Sequence, residues 1–253
     1  MLALKLVLVP SLICAITLAG RQWGPAVAGW LSGFPIVSAP VLFFLAAEQG
    51  SRFAATAAGA TLSAVPAVLL FVTAYAWLAT RAGWRVSLLC SLVAYFAAIA
   101  LLYLLAPPVY AAAPLVYAVI WVAPRFFPPT AVFPKAPPFR PSELVLRMTA
   151  GGALVLAVTY FAADLGARWS GLFAMFPVLG IVLAVFSHRQ AGAAFTVHLL
   201  RGVVFGFYAF TSFCLLLALA LPAMGVGAAF ALALGSATFI QWLARNRLRM
   251  RIA

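Results

Sequence analysis

His198 and Arg201 stand three residues apart in an otherwise apolar run, a spacing that puts both on one face of a helix. An arginine facing a cavity could hold a carboxylate or phosphate through two parallel hydrogen bonds, and a histidine could exchange a proton near neutral pH. The competing role for Arg201 is to snorkel, because Val203 to Leu221 is already long enough to cross a bilayer. The acids are three: Glu48, Glu143 and Asp164. Glu48 and Asp164 each close an apolar run, where either could relay a proton, but such a set is too sparse to cage sodium. The chain contains no Walker phosphate loop, zinc-protease motif, Gly-x-Ser-x-Gly or Cys-x-x-Cys. No catalytic, metal or cofactor site is therefore expected, and the chain does not read as an enzyme.

A second chemistry needs no charged side chain. Gly29-Trp-Leu-Ser-Gly-Phe34-Pro35-Ile is echoed 142 residues later by Gly171-Leu-Phe-Ala-Met-Phe176-Pro177-Val, and the first copy adds Pro40. Proline inside a helix removes one hydrogen bond and clashes with the carbonyl four residues back, so Pro35, Pro40 and Pro177 should kink or break their helices. Deep in a bilayer such a break is tolerated where the freed backbone groups face protein or water, and transporters use those groups to coordinate substrate. A packing kink is the other reading, since proline and glycine are common in membrane helices. Phe34, Pro35, Pro40, Phe176, Pro177, His198 and Arg201 are the candidate substrate-binding residues. Glu48, Asp164 and His198 are the candidate proton relays.

The elements that must carry these residues share one register. The same offset pairs Leu2 with Leu144, Leu4 with Leu146, Lys5 with Arg147, Gly24 with Gly166, Gly50 with Gly192, Phe53 with Phe195 and Phe71 with Phe213. Matched glycines, a matched Phe-Pro and a matched basic pair favour duplication over chance agreement between apolar helices. The organisation expected is residues 1–127 as a first transmembrane repeat with a connecting helix, 128–141 as a proline-rich loop, and 142–253 as a second repeat with a basic tail.

Composition places the elements in a membrane. Of 253 residues, 67% are apolar and 8% charged, a balance foreign to soluble domains. No alternation of polar and apolar residues suggests a β-barrel. The fold class expected is an all-α polytopic membrane protein with nine transmembrane helices, or eight if the proline-rich segment Pro107 to Phe127 does not cross. The nine are Leu2 to Ala19, Pro25 to Ala47, Ala54 to Thr80, Val86 to Ala106, Pro107 to Phe127, Leu144 to Ala163, Trp169 to Ser187, Ala194 to Leu221 and Ala223 to Leu243. The first imitates a signal peptide but has an internal counterpart, so it reads as a retained helix.

The net charge of +13 belongs to the flanks of these spans and to the tail, which argues for a lipid bilayer as partner and against nucleic acid. With nine spans and a cytoplasmic tail, twelve basic residues lie inside and Lys5, Arg52 and Arg168 outside, whereas eight spans give eleven against four. Nine spans put the two repeats in opposite orientations, as alternating access by rocking requires. Cys14, Cys90 and Cys214 lie inside apolar runs and have no expected disulfide role. Gly20-x-x-x-Gly24, Gly29-x-x-x-Gly33 and Gly202-x-x-x-Gly206 are spacings that permit close helix contact.

Residues Gly171 to Gly206, with Phe176-Pro177, an apolar run and His188, resemble the small GlpM-type bacterial inner-membrane proteins. Those are about half this length, so the chain looks like two such units fused. The resemblance implies a polytopic bacterial inner-membrane protein and carries over no site residues. The function expected from all of this is a small secondary transporter that moves a small organic anion or neutral solute by alternating access, with a homodimer as a possible assembly. The alternative is a non-catalytic membrane subunit or assembly factor that binds another membrane protein.

Overall fold

The computed structural model describes residues 2–105, 108–130, 140–164 and 175–252, with side chains at all of these but 2, 3, 5, 161–164 and 245–252. Its described secondary structure is entirely helical: α1 (Leu2–Trp23), α2 (Pro25–Ser32), α3 (Ser38–Gln49), α4 (Ser51–Ala79), α5 (Trp84–Leu105), α6 (Val109–Val122), a 3₁₀ turn (Ala123–Phe126), α7 (Pro141–Asp164), α8 (Val178–Ala220) and α9 (Val226–Ile252). Seven of the described helices are long and apolar enough to cross a membrane. The segment Val109–Phe126 is one of them despite its prolines.

Helix α5 shows how the bundle sits in its solvent. Ser87, Ser91, Tyr95 and Ile99, each four residues from the next, form its buried stripe. Leu89, Val93, Leu101 and Leu104 point outward and are exposed. A helix with serines inside and leucines outside is stable only where the surroundings are as apolar as the leucines. The buried hydroxyls cost little, because Ser87 and Ser91 donate to the carbonyls of Gly83 and Ser87 at 3.1 and 2.6 Å. This is the arrangement of a multi-pass membrane protein.

Glycine makes the corners. Gly24, Gly50 and Gly192 have φ of 90°, 89° and 81° with extended ψ, a conformation that a Cβ would oppose. Gly50 turns α3 into α4, and Gly192 interrupts α8 between arms 178–191 and 193–220. The expected spans Trp169 to Ser187 and Ala194 to Leu221 correspond to the two arms of α8, which join at Gly192, and positions 169–174 of the first lie outside the described residues. One sequence expectation needs correction here. Pro40 does not break a helix: it is the third residue of α3, in the first turn, where no hydrogen bond is lost. The interruption lies upstream, at residues 33–37.

Contacts fix the directions of the helices. The Arg147 guanidinium donates to Thr17 Oγ1 at 3.4 Å, Gly151 lies against Ile13, and Gly152 lies against Pro10. Rising numbers in α7 therefore meet falling numbers in α1, and the two helices are antiparallel. Gln241 Nε2 of α9 donates to the Trp30 carbonyl of α2 at 2.8 Å, while Phe230 of α9 stacks edge-on with Phe43 of α3, ring centroids 5.3 Å apart. Thus α2 and α3 run in one continuing direction along α9, as one helix broken in the middle.

The glycine spacings meet one another. A Cβ on Gly33 would fall 2.5 Å from the Gly206 carbonyl carbon, and one on Gly206 would fall 2.8 Å from the Gly33 Cα. Gly29 faces Leu199 and Val203, and Gly202 faces Ala26. Helix α2 is thereby laid backbone to backbone on the second arm of α8, the close approach that small residues permit.

Candidate functional site

Seven arginines with described side chains gather at one end of the bundle. Arg21 closes α1, Arg81 and Arg85 flank the α4–α5 turn, Arg125 follows α6, Arg140 and Arg147 open α7, and Arg189 precedes the Gly192 corner. Cross-helix contacts tie this end together: Arg189 lies 5.2 Å from the Trp84 ring centroid, Trp77 Nε1 donates to the Phe126 carbonyl, and the Tyr75 hydroxyl approaches His188 Nδ1 at 3.5 Å. Arg52, at the start of α4, is exposed at the other end.

Between α1, α2, α7 and both arms of α8, the basic end opens into a cleft of about 40 Å³. Its polar lining is Thr17, Arg21, Arg140, Glu143, Arg147, Ser187 and Gln190, and Ala28, Leu183 and Leu199 line its apolar part. Arg147 is 7% exposed; it donates to Thr17 Oγ1 and Gln190 Oε1 and lies 5.6 Å from the Phe186 ring centroid. Its Nε and the hydroxyl of Ser187 are buried without a hydrogen-bond partner. Glu143, one turn earlier on α7, meets Arg140 at 4.0 Å. Among the described cationic side chains Arg147 is the buried one, and the sequence did not disclose it: it read as a flanking charge.

An apolar cluster lies beside the cleft. Val9, Ile13, Val155, Val182 and Phe186 are buried together, and Val37, Val178 and Leu179 pack against them. Val37 ends the 33–37 interruption and Val178 begins α8, so the two Phe-Pro segments meet at this cluster.

The sequence candidates divide into three groups. Pro35 is buried in the interruption, and Phe34 packs on the core. Pro177 caps α8, and Phe176 packs edge-on against Tyr95 at 5.7 Å between centroids. Near these segments the side-chain polar atoms of Trp30 (Nε1), Ser38 (Oγ) and Tyr95 (hydroxyl) are buried without hydrogen-bond partners. Pro40 stands at the start of α3, beyond the interruption. His198 and Arg201 do not join the cleft. Thr130 bonds His198 Nε2 at 2.9 Å, and Arg201 reaches the Pro128 carbonyl at 3.5 Å with its guanidinium 5.7 Å from the Phe127 ring centroid. Both thus hold the segment that follows α6. Glu48 is exposed on the last turn of α3, away from His198. Asp164 ends α7, and its side chain lies outside the described residues.

Comparison with protein-family models, with curated proteins and with solved structures finds no match to this chain.

Proposed function

We propose that the protein is a small secondary transporter built from two duplicated, oppositely oriented repeats, which rock about the place where the two Phe-Pro segments meet. The observation that carries this reading is the antiparallel register of α1 and α7, because the 142-residue offset makes them the first helices of the two repeats. Further agreement supports it. Gly50 and Gly192, matched by the offset, share the same left-handed corner, and α5 and α9 start at residues 84 and 226, also 142 apart. Inverted repeats meeting at discontinuous helices are the pattern of alternating-access carriers, in which exchanging the two repeat conformations moves the opening from one face to the other.

On this reading α2 and α3 make one discontinuous crossing, and the chain crosses nine times in the bacterial inner membrane. The arginine-rich end and the C-terminal tail face the cytoplasm, in accordance with the excess of positive charge there. The duplicated unit is of the GlpM type.

Side-specific cysteine labelling tests the arrangement, in a variant with Cys14, Cys90 and Cys214 replaced. Thr80 and Pro222 are exposed, close α4 and α8, and stand 142 residues apart. Thr80→Cys should label from the cytoplasmic face and Pro222→Cys from the opposite one. Labelling of both from one face would make the repeats parallel, remove the basis for alternating access and favour a partner-binding subunit instead.

A further inference from the structure

A buried guanidinium is stable when paired and hydrogen-bonded, and one without a carboxylate is a candidate for an exogenous anion. Arg147 feels the charge of Glu143 one turn away but forms no ion pair with it among the described contacts. Its contacts are an amide oxygen, a hydroxyl and an aromatic ring, none of them an acid. The Nε edge is unpartnered, as is the Ser187 hydroxyl, and both residues line the one cleft. The cleft as a whole carries Arg21, Arg140 and Arg147 against the one acid Glu143. The 142-residue offset sharpens the point: Arg147 and Gln190 correspond to Lys5 and Glu48, so an acid stands in the first repeat where the second has a neutral amide.

We propose that the Arg147 cleft binds an oxyanion, a carboxylate or phosphate group, held by Arg147 with Ser187 and Gln190. This inference rests on the transporter reading where it makes that group the charged head of the transported solute. The Arg147 guanidinium offers the planar pair of donors that suits such a head, and Ser187 offers one more. Gln190 turns its amide N–H groups to the anion when its oxygen is engaged by Arg147. A volume of about 40 Å³ admits one small charged group. The same chemistry serves a free solute and the phosphate of a lipid at the cytoplasmic surface.

The test is thermal melting of the purified full-length protein in uncharged detergent, titrated with malonate or inorganic phosphate, with glycerol and choline chloride as comparators at equal ionic strength. One or both anions should raise the melting temperature saturably. R147Q should weaken the apparent affinity about 10- to 100-fold, the range expected for lost charge-assisted hydrogen bonds, and R147K should restore part of it. No saturable shift with either anion, or equal responses of R147Q and the parent protein, overturns the site. Where R147Q fails to fold, S187A decides: several-fold weaker binding supports the site, and unchanged affinity overturns it. Repeating the phosphate titration in nanodiscs with and without phosphatidylglycerol separates the sources. Competition by that lipid assigns the site to a headgroup, and its absence assigns the site to a solute; both outcomes keep the oxyanion site.

Proteoliposome flux separates this inference from the transporter reading. Arg147-dependent binding without malonate or phosphate flux keeps the site and overturns transport of these anions. Flux that R147Q leaves unchanged keeps transport and overturns the assignment of the site to the transported solute.

Discussion

Gly202→Ala sets two effects of opposite sign against each other. Alanine is favoured over glycine in a helix interior by about 1 kcal/mol, so in open space the exchange stabilises. At residue 202 the space is occupied. The new Cβ would overlap the Ala26 carbonyl oxygen and stand 2.9 Å from its carbon and 3.1 Å from the Ala26 Cα. Carbon atoms rest at about 3.5–4.0 Å, so α2 must retreat by roughly 1 Å or the backbone must deform. Both partners are main chain, which cannot rotate away as a side-chain tip can. Overpacking of this kind costs about 1–3 kcal/mol and the upper end applies, leaving a net loss of about 2 kcal/mol. In a chain of this size that lowers the melting temperature by roughly 4–8 °C. The reference variant is Gly235→Ala on α9, where a Cβ meets nothing within 4 Å. Melting in detergent should place Gly202→Ala well below the parent protein and Gly235→Ala at or above it. Equal melting of the two variants would refute the backbone-to-backbone seam between α2 and α8.

The corner glycines respond to conformation alone, since a Cβ at Gly50 or Gly192 meets nothing within 4 Å. Gly50→Ala and Gly192→Ala should each cost about 1–3 kcal/mol through positive-φ strain, and thermal melting equal to the parent would refute the corner geometry. An Ile13→Cys, Gly151→Cys pair in a background without native cysteines should cross-link under mild oxidation, because the Ile13 side chain touches the position of a Cβ at 151. Absence of that cross-link, with Ile13→Cys pairing near the far end of α7 instead, would make the two helices parallel. Trp77→Phe removes the donor to the Phe126 carbonyl, and should cost about 0.5–1.5 kcal/mol and speed proteolysis after α6. Unchanged stability and cleavage would show that this bond does not secure the end of α6.

Much of the architecture is legible in the sequence because bilayer helices depend on local quantities. Runs of apolar residues set the spans, and proline forbids a helical hydrogen bond wherever it sits beyond the first turn. The interruption at Phe34-Pro35 and the start of α8 at Pro177 followed from those rules. Pro40 shows where they stop: the same residue breaks a helix or begins one according to where the preceding helix has already ended. Gly192 was visible as a match to Gly50, but glycine adopts helical and left-handed conformations alike. Its role as the entire junction within α8 therefore depended on what the arms on either side pack against.

The functional candidates follow the same division. His198 and Arg201 were conspicuous as polar residues in an apolar run, yet tertiary contacts with residues 127–130 hold them, and the cleft formed elsewhere. Arg147 resembled any flanking charge, because burial is a property of the neighbours and those neighbours, Thr17, Phe186 and Gln190, are 130, 39 and 43 residues away. Two glycine spacings, each weak by itself, became one seam only when α2 and α8 were placed together. By itself the sequence determined the apolar solvent, the helical class and the interruption at Pro35, since each arises from composition or from neighbours along the chain. The tertiary structure alone decided the antiparallel pairing of α1 and α7 and the burial of Arg147, since both depend on contacts between residues far apart in sequence.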